Sequence, residues 1–286
     1  MINNMEIHLK PKTRAVVGVL LFIAMQVVAG ILARIGFHVG FRMSVALSYS
    51  LVFTGIVTIV ALLNLKIVKP KTFDPTTVRW EKTIWAFASA LFCFIAMNLL
   101  MEQVNLPNLM RKEVFLLARN QWGVFALVLV GPIVEELVFR EGIIKAMYRL
   151  NYHRWQAILV SAAIFGIIHF NPIQIPFAFV MGLILATIYA KTRNIVASSI
   201  IHIINNAAAV IEIRLLGYDY PTFRYADLIG GNLVAWIIII ISSILCYFCI
   251  MRFWHTYHHN GASSSSSRSK EDASKRMREI VRARGL

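Results

Sequence analysis

Apolar residues run along this chain in long unbroken blocks, without the strict alternation of a half-buried strand or the polar face of a surface helix. Val45 to Leu63 is apolar on every side. Such a block suits a helix surrounded by lipid, because a transmembrane barrel strand would alternate over about ten positions. Eight spans are predicted, at 15–33, 45–65, 83–101, 122–149, 155–170, 173–190, 195–211 and 229–251. Apolar stretches of about 17 to 25 residues cross a hydrocarbon core of roughly 30 Å. The expected fold is an all-α, polytopic integral membrane protein with about eight transmembrane helices.

Between the blocks the chain changes character. The loop from Lys66 to Lys82, with Pro70, Pro75 and Thr76-Thr77, reads as a turn-rich connection. Glu102 to Asn120 carries Leu106, Leu109, Met110, Val114 and Leu117 at helical spacing, which predicts an interfacial amphipathic helix. After the last span come Gly261-Ala262, the run Ser263 to Ser267 and a basic stretch from Arg268 to Arg284. The organisation that follows is an N-terminal set of spans at 1–121, a core at 122–212, a last span within 213–255 and a polar basic tail at 256–286.

Composition agrees, with 58% hydrophobic against 15% charged residues, where an ordinary globular domain has about a quarter charged. A net charge of +15 would in a soluble chain suggest a nucleic acid. Here its placement points to topology instead, and no nucleic-acid partner is expected. With the N-terminus inside, 21 Lys and Arg residues fall in inner segments and seven in outer loops, while Arg140 stays within a span. That bias predicts cytoplasmic termini. The basic tail then lies where anionic headgroups attract it, although it serves equally as a solubilising, orientation-fixing segment or as a contact for a membrane partner protein. Lys10, Lys12 and Arg14 ahead of the first block resemble a signal peptide, but the length of the block favours a retained anchor helix. Cys93, Cys246 and Cys249 all fall within apolar spans and read as small packed hydrophobes, with neither disulfide nor metal expected.

Chemistry is sought among the ionisable groups that sit inside spans, since burial in hydrocarbon is costly. The fourth span holds Glu135, Glu136 and Arg140, the fifth His169, and the seventh His202 with Asn205 and Asn206. Glu136 and Arg140 are four apart and share a face, so they can form an ion pair. Glu135 points about 100° away and is free to face another cavity. His202 and Asn206 project from one face of their helix. A tight turn at Asn151 to Arg154 makes the fourth and fifth spans a hairpin, and 14 residues separate Glu135 from Arg149 and Trp155 from His169. Both groups therefore lie about 21 Å from the turn. His202 and Asn206 lie roughly 10 to 17 Å beyond the turn at Lys191 to Asn194, a mismatch of several ångströms that tilt or a late helix start would absorb.

A carboxylate and an imidazole facing a polar cavity can activate a water, and a second His with an Asn can stabilise an oxyanion. No Ser or Cys nucleophile motif accompanies them, so hydrolysis by activated water is the expected chemistry. Single residues also have plainer readings: an intramembrane His is often an interhelical hydrogen-bond partner, Phe165 reads as packing, and Asn205 is turned away from Asn206.

Glu-Glu-x-x-x-Arg, Phe-x-x-x-His and His-x-x-x-Asn, in this order within 72 residues, resemble the CAAX protease and bacteriocin-processing (CPBP, Abi) family across about Trp122 to Ile211. The resemblance implies an intramembrane endopeptidase in which Glu135 is the catalytic carboxylate, Glu136 and Arg140 hold its helix, His169 helps activate water, and His202 with Asn206 form the oxyanion site. Its implied substrate is a membrane-associated peptide or protein, and its implied setting the plasma membrane, for a bacterial cell in pheromone maturation, bacteriocin handling or envelope regulation. Glu141 stands where a small Gly commonly follows the Arg; here Gly142 comes one position later. Metal-free catalysis is favoured, with zinc on Glu135, His169 and His202 as the alternative. A catalytically silent scaffold or regulator of a partner enzyme and a transporter using the polar cavity are the competing functions.

Overall fold

A backbone in hydrocarbon has no water to bond and must pair within its own segment, so the apolar blocks become helices. The computed structural model describes residues 10–104, 106–217 and 224–256, and no strand occurs among them. The long elements are α1 Pro11–His38, α2 Met43–Asn64, α3 Trp80–Gln103, α5 Gln121–Arg149, α7 Gln174–Thr192, α8 Val196–Leu216 and α10 Asn232–Thr256, each long and apolar enough to cross a membrane. Between them lie α4 Arg111–Ala118, α6 Arg154–Ile167 and the single turn α9 Tyr225–Leu228. The protein is an all-α polytopic membrane protein.

The count of eight full spans is corrected at α6. With 14 residues it extends about 21 Å, short of a bilayer core. Pro172 disfavours helix at Asn171, and Phe170 already adopts a left-handed backbone with φ 48°. Buried Asn171 fixes the resulting turn, accepting from the Leu109 amide at 2.9 Å and donating to Asn108 Oδ1 at 3.0 Å. The amphipathic helix expected over Glu102–Asn120 is corrected by the same contacts. Helix is confined to Arg111–Ala118, because Pro107 lacks an N–H and the neighbouring residues are held against Asn171.

α1 and α2 pair through a turn at Gly40, whose φ of 104° suits glycine. They lie against α5, which α2 approaches so closely at Gly55 that a Cβ there would come within 2.3 Å of Val130. Small residues permit such contact where no hydrophobic force drives helices together. The hydroxyls of Ser50, Thr54 and Thr58 bond carbonyls one turn back and carry no orphaned polar group into the bundle. α6 and α7 form a hairpin that packs on α5, with α3 against α7, and α8 against α5 and α7. Val134, Leu137, Phe139, Ile158 and Phe165 meet in the core at this junction. The three cysteines are free.

The loop 66–79 folds onto the bundle through buried Ile67, Val68, Thr72 and Val78. It also covers the α7–α8 turn, where Asn194 donates to the Asp74 carbonyl at 2.7 Å. With Asn194 and Ile195 both buried, α8 starts deep inside the molecule. The basic tail, on which the interaction expectation rests, falls outside the described residues, whereas the apolar block that follows Lys10 is the long helix α1.

Candidate active site

Glu135 occupies the midpoint of α5, and this helix is irregular on both sides of it. Its turns are wide, π-type, at Ala126–Val130 and Leu137–Ile144. Pro132 accounts for the first, because its ring would clash with the carbonyl four residues back and it has no N–H to offer. Gly131 N–H bonds Ala126 five residues back, and in that register the next carbonyl, Leu127, faces Pro132 and receives nothing. Asn206 supplies the missing donor from α8, its Nδ2 lying 2.9 Å from the Leu127 oxygen. Wide turns of this kind recur at functional sites.

The second wide turn carries the ion pair. Arg140 donates from Nε to Glu136 Oε2 at 3.1 Å, both side chains being fully buried. Its Nη1 donates to Ser161 at 3.0 Å, and Ser161 passes its own proton to the Phe139 carbonyl at 3.1 Å. The guanidinium also lies over the Phe165 ring, 5.1 Å from its centroid. In a low-dielectric setting each of these partners offsets part of the cost of burying charge.

His202 joins the two carboxylates. Its Nε2 is 3.5 Å from Glu135 Oε2 and its Nδ1 3.4 Å from Glu136 Oε1. His202 and Glu135 thus meet despite the gap that helix lengths alone leave between them. Glu135 keeps 20% of its side chain open, whereas Glu136 is sealed. Water and a substrate therefore reach the first carboxylate and not the second.

His169 is placed differently from expectation. It sits in the turn beyond α6 and outside any span, bonded through Nδ1 to the Phe165 carbonyl at 2.7 Å. With Nδ1 donating, Nε2 keeps its lone pair. The carboxylates pair with His202, and His169 joins the group through Phe165, whose ring meets His169 at 5.0 Å and His202 at 5.7 Å. Phe165, read from the sequence as packing, is indeed buried in the core and also touches both imidazoles, whereas Ser161 is a residue beside the site that sequence reasoning missed. The stride Ser161, Phe165, His169 along one helix face was the available signal. Asn205, which the 100° argument set aside, donates to Asn206 Oδ1 at 3.3 Å.

Glu141 is buried, paired with Lys145 and bonded by the Tyr189 hydroxyl at 2.8 Å. A larger side chain than glycine is accommodated there by polar partners. Zinc would need three or four donors converging at about 2.0–2.2 Å. Among the described residues no three His, Cys, Asp or Glu side chains are so grouped, and Glu135, His169 and His202 as placed do not fit the ion.

Residues 117–208 match the family described as type II CAAX prenyl endopeptidase Rce1-like, and all six candidate residues lie in that segment. Over 170 residues the chain is 28% identical to the membrane-embedded CAAX protease MroQ of Staphylococcus aureus (strain USA300), spanning 54% of this chain and 68% of that protein. These matches agree with the resemblance to the CPBP family that the motifs carry. The chain is also 37% identical over 84 residues to the putative membrane peptidase YdiL of Bacillus subtilis (strain 168), spanning 29% and 34% of the two chains. No solved structure matches it.

Proposed function

We propose that this protein is a member of the CPBP family and an intramembrane endopeptidase that hydrolyses a peptide bond of a membrane-associated peptide or protein with water activated at Glu135. The observation that supports it most is the meeting of Glu135 and Glu136 on His202 within 3.5 Å at the middle of a membrane helix. Structural economy alone would not gather two carboxylates there.

With both carboxylates and the guanidinium ionised, the group carries one net negative charge, which a single proton held between Glu135 and His202 cancels. Such a proton is the working part of a general acid–base pair. Glu135, with the proton resting on His202, takes a proton from water as the oxygen attacks the scissile carbonyl. His202 and the second amide hydrogen of Asn206 donate toward the developing oxyanion, where scarce water makes each donor count. The carbon–nitrogen bond then breaks, and the leaving amine receives the proton taken up by Glu135. His169, its Nδ1 committed, offers Nε2 to hold the attacking water. Glu136 and Arg140 fix His202 and the helix. The reading includes a plasma-membrane location with both termini in the cytoplasm.

The test is a peptidomic comparison of membranes carrying the wild type or Glu135→Gln at equal abundance. Products that vanish with Glu135→Gln support the enzyme. Identical peptides and an unchanged phenotype would make the chain a membrane scaffold or regulator of a partner enzyme.

A further inference from the structure

Away from the site, a crevice of about 370 Å³ runs between α3, α7 and α10. Cys93, Ala96 and Met97 form one wall, Ile184 and Thr187 a second, and α10 the third, from Ser243 to Trp254. Ser243 and Trp254 are 11 positions apart on α10, which gives the crevice a length of about 16 Å. The walls are largely apolar, and Thr187 spends its hydroxyl on the Leu183 carbonyl at 2.7 Å. Nothing along the crevice asks for a polar ligand.

One end is different in kind. Trp155 and Trp254 stack there with centroids 4.8 Å apart, and both line the crevice. Two cations crowd the same indole: Lys191 Nζ lies 3.6 Å and Arg154 Cζ 5.4 Å from the Trp254 centroid. Neither Lys191 nor Arg154 has a carboxylate within 4 Å among the described residues; ion pairs engage Arg140, Lys145 and His202 instead. The face of the Trp254 ring offsets part of the repulsion between the two like charges, and an anion between them would offset more of it.

We propose that this crevice is a binding site for an anionic phospholipid, with an acyl chain along α10 and the headgroup phosphate on Arg154 and Lys191. Charge complementarity selects the ligand, since basic pockets at helix ends in a bilayer recognise acidic headgroups. The paired indoles mark the polar–apolar boundary, where tryptophan is favoured. The apolar channel opens at that boundary, so one molecule satisfies both features. A zwitterionic lipid would fill the channel but add a like charge beside the two cations.

The experiment uses the full-length protein purified in detergent. Native mass spectrometry reads retention of phosphatidylglycerol and of phosphatidylcholine with the same acyl chains. With each cation near a surface worth about 1 kcal/mol, the wild type is expected to retain the anionic lipid roughly tenfold to thirtyfold better. In the double variant Arg154→Gln with Lys191→Gln, at two half-buried positions, the preference should fall to about that for phosphatidylcholine. Ser243→Phe, at an exposed wall position, should lower retention of both lipids. Equal retention of the two lipids by the wild type, or an undiminished preference in the double variant, overturns the proposal, as does Ser243→Phe leaving both lipids bound.

Discussion

Asn206 and Leu127 are joined by a hydrogen bond from Nδ2 to the backbone oxygen at 2.9 Å, and the reason for it lies in a third residue. Pro132 has no N–H for that carbonyl, so α8 corrects a defect in α5. Asn206 thereby spends one amide hydrogen on structure, and only the other is open to an oxyanion. Asn206→Ala should cost about 1–3 kcal/mol by stranding the carbonyl, measured as thermal stability in detergent. Introducing Pro132→Ala in addition restores a backbone donor and should recover most of that loss without recovering turnover. An equal loss with and without Pro132 would show that the contact does not serve the carbonyl.

Glu135→Gln should abolish product formation while insertion and abundance stay normal. The amide keeps the volume of a side chain that is 20% open and adds no buried charge, but it cannot accept a proton from water. Quantitative peptidomics beside immunoblotting of membranes checks both halves. Retained turnover would move the role of base to another group.

The helices were legible because lipid requires apolar residues on every exposed face, and the Glu136–Arg140 pair because four-residue spacing places partners together. What escaped reading depended on backbone events between elements. Pro172 and the left-handed Phe170 shorten α6 and put His169 in a turn, while the bond from Asn194 to the Asp74 carbonyl ties the loop 66–79 over the start of α8. Neither contact is revealed by a count of residues from a presumed turn. Leu127 is the other case, since a side chain seeking an orphaned carbonyl becomes predictable only once the wide turn around Gly131-Pro132 is known.

Arg140→Ala should reduce abundance as well as activity. It leaves Glu136 sealed with its strongest partner gone, a change that commonly costs about 3 to 5 kcal/mol. Glu136→Leu combined with Arg140→Leu should restore abundance, because no unpaired charge remains. Activity should stay low, since His202 Nδ1 loses the oxygen now 3.4 Å away and the imidazole is no longer held. Ser161→Ala, which removes a single 3.0 Å partner of Arg140, should fall between wild type and Arg140→Ala. Normal abundance and melting temperature for Arg140→Ala alone would remove the ion pair from the account.

Metal content gives the sharpest test of the chemistry, and we propose that water is activated without zinc. Three donors would have to converge on one point, yet Glu135, His169 and His202 are not so grouped among the described residues. His202 approaches a carboxylate with each ring nitrogen, whereas a zinc ligand gives one nitrogen to the metal and usually donates from the other. Protein purified without chelator should contain less than stoichiometric zinc by elemental analysis, and turnover should survive chelation. Stoichiometric zinc that disappears in His169→Ala or His202→Ala, together with chelator-sensitive cleavage restored by zinc, would refute the metal-free mechanism.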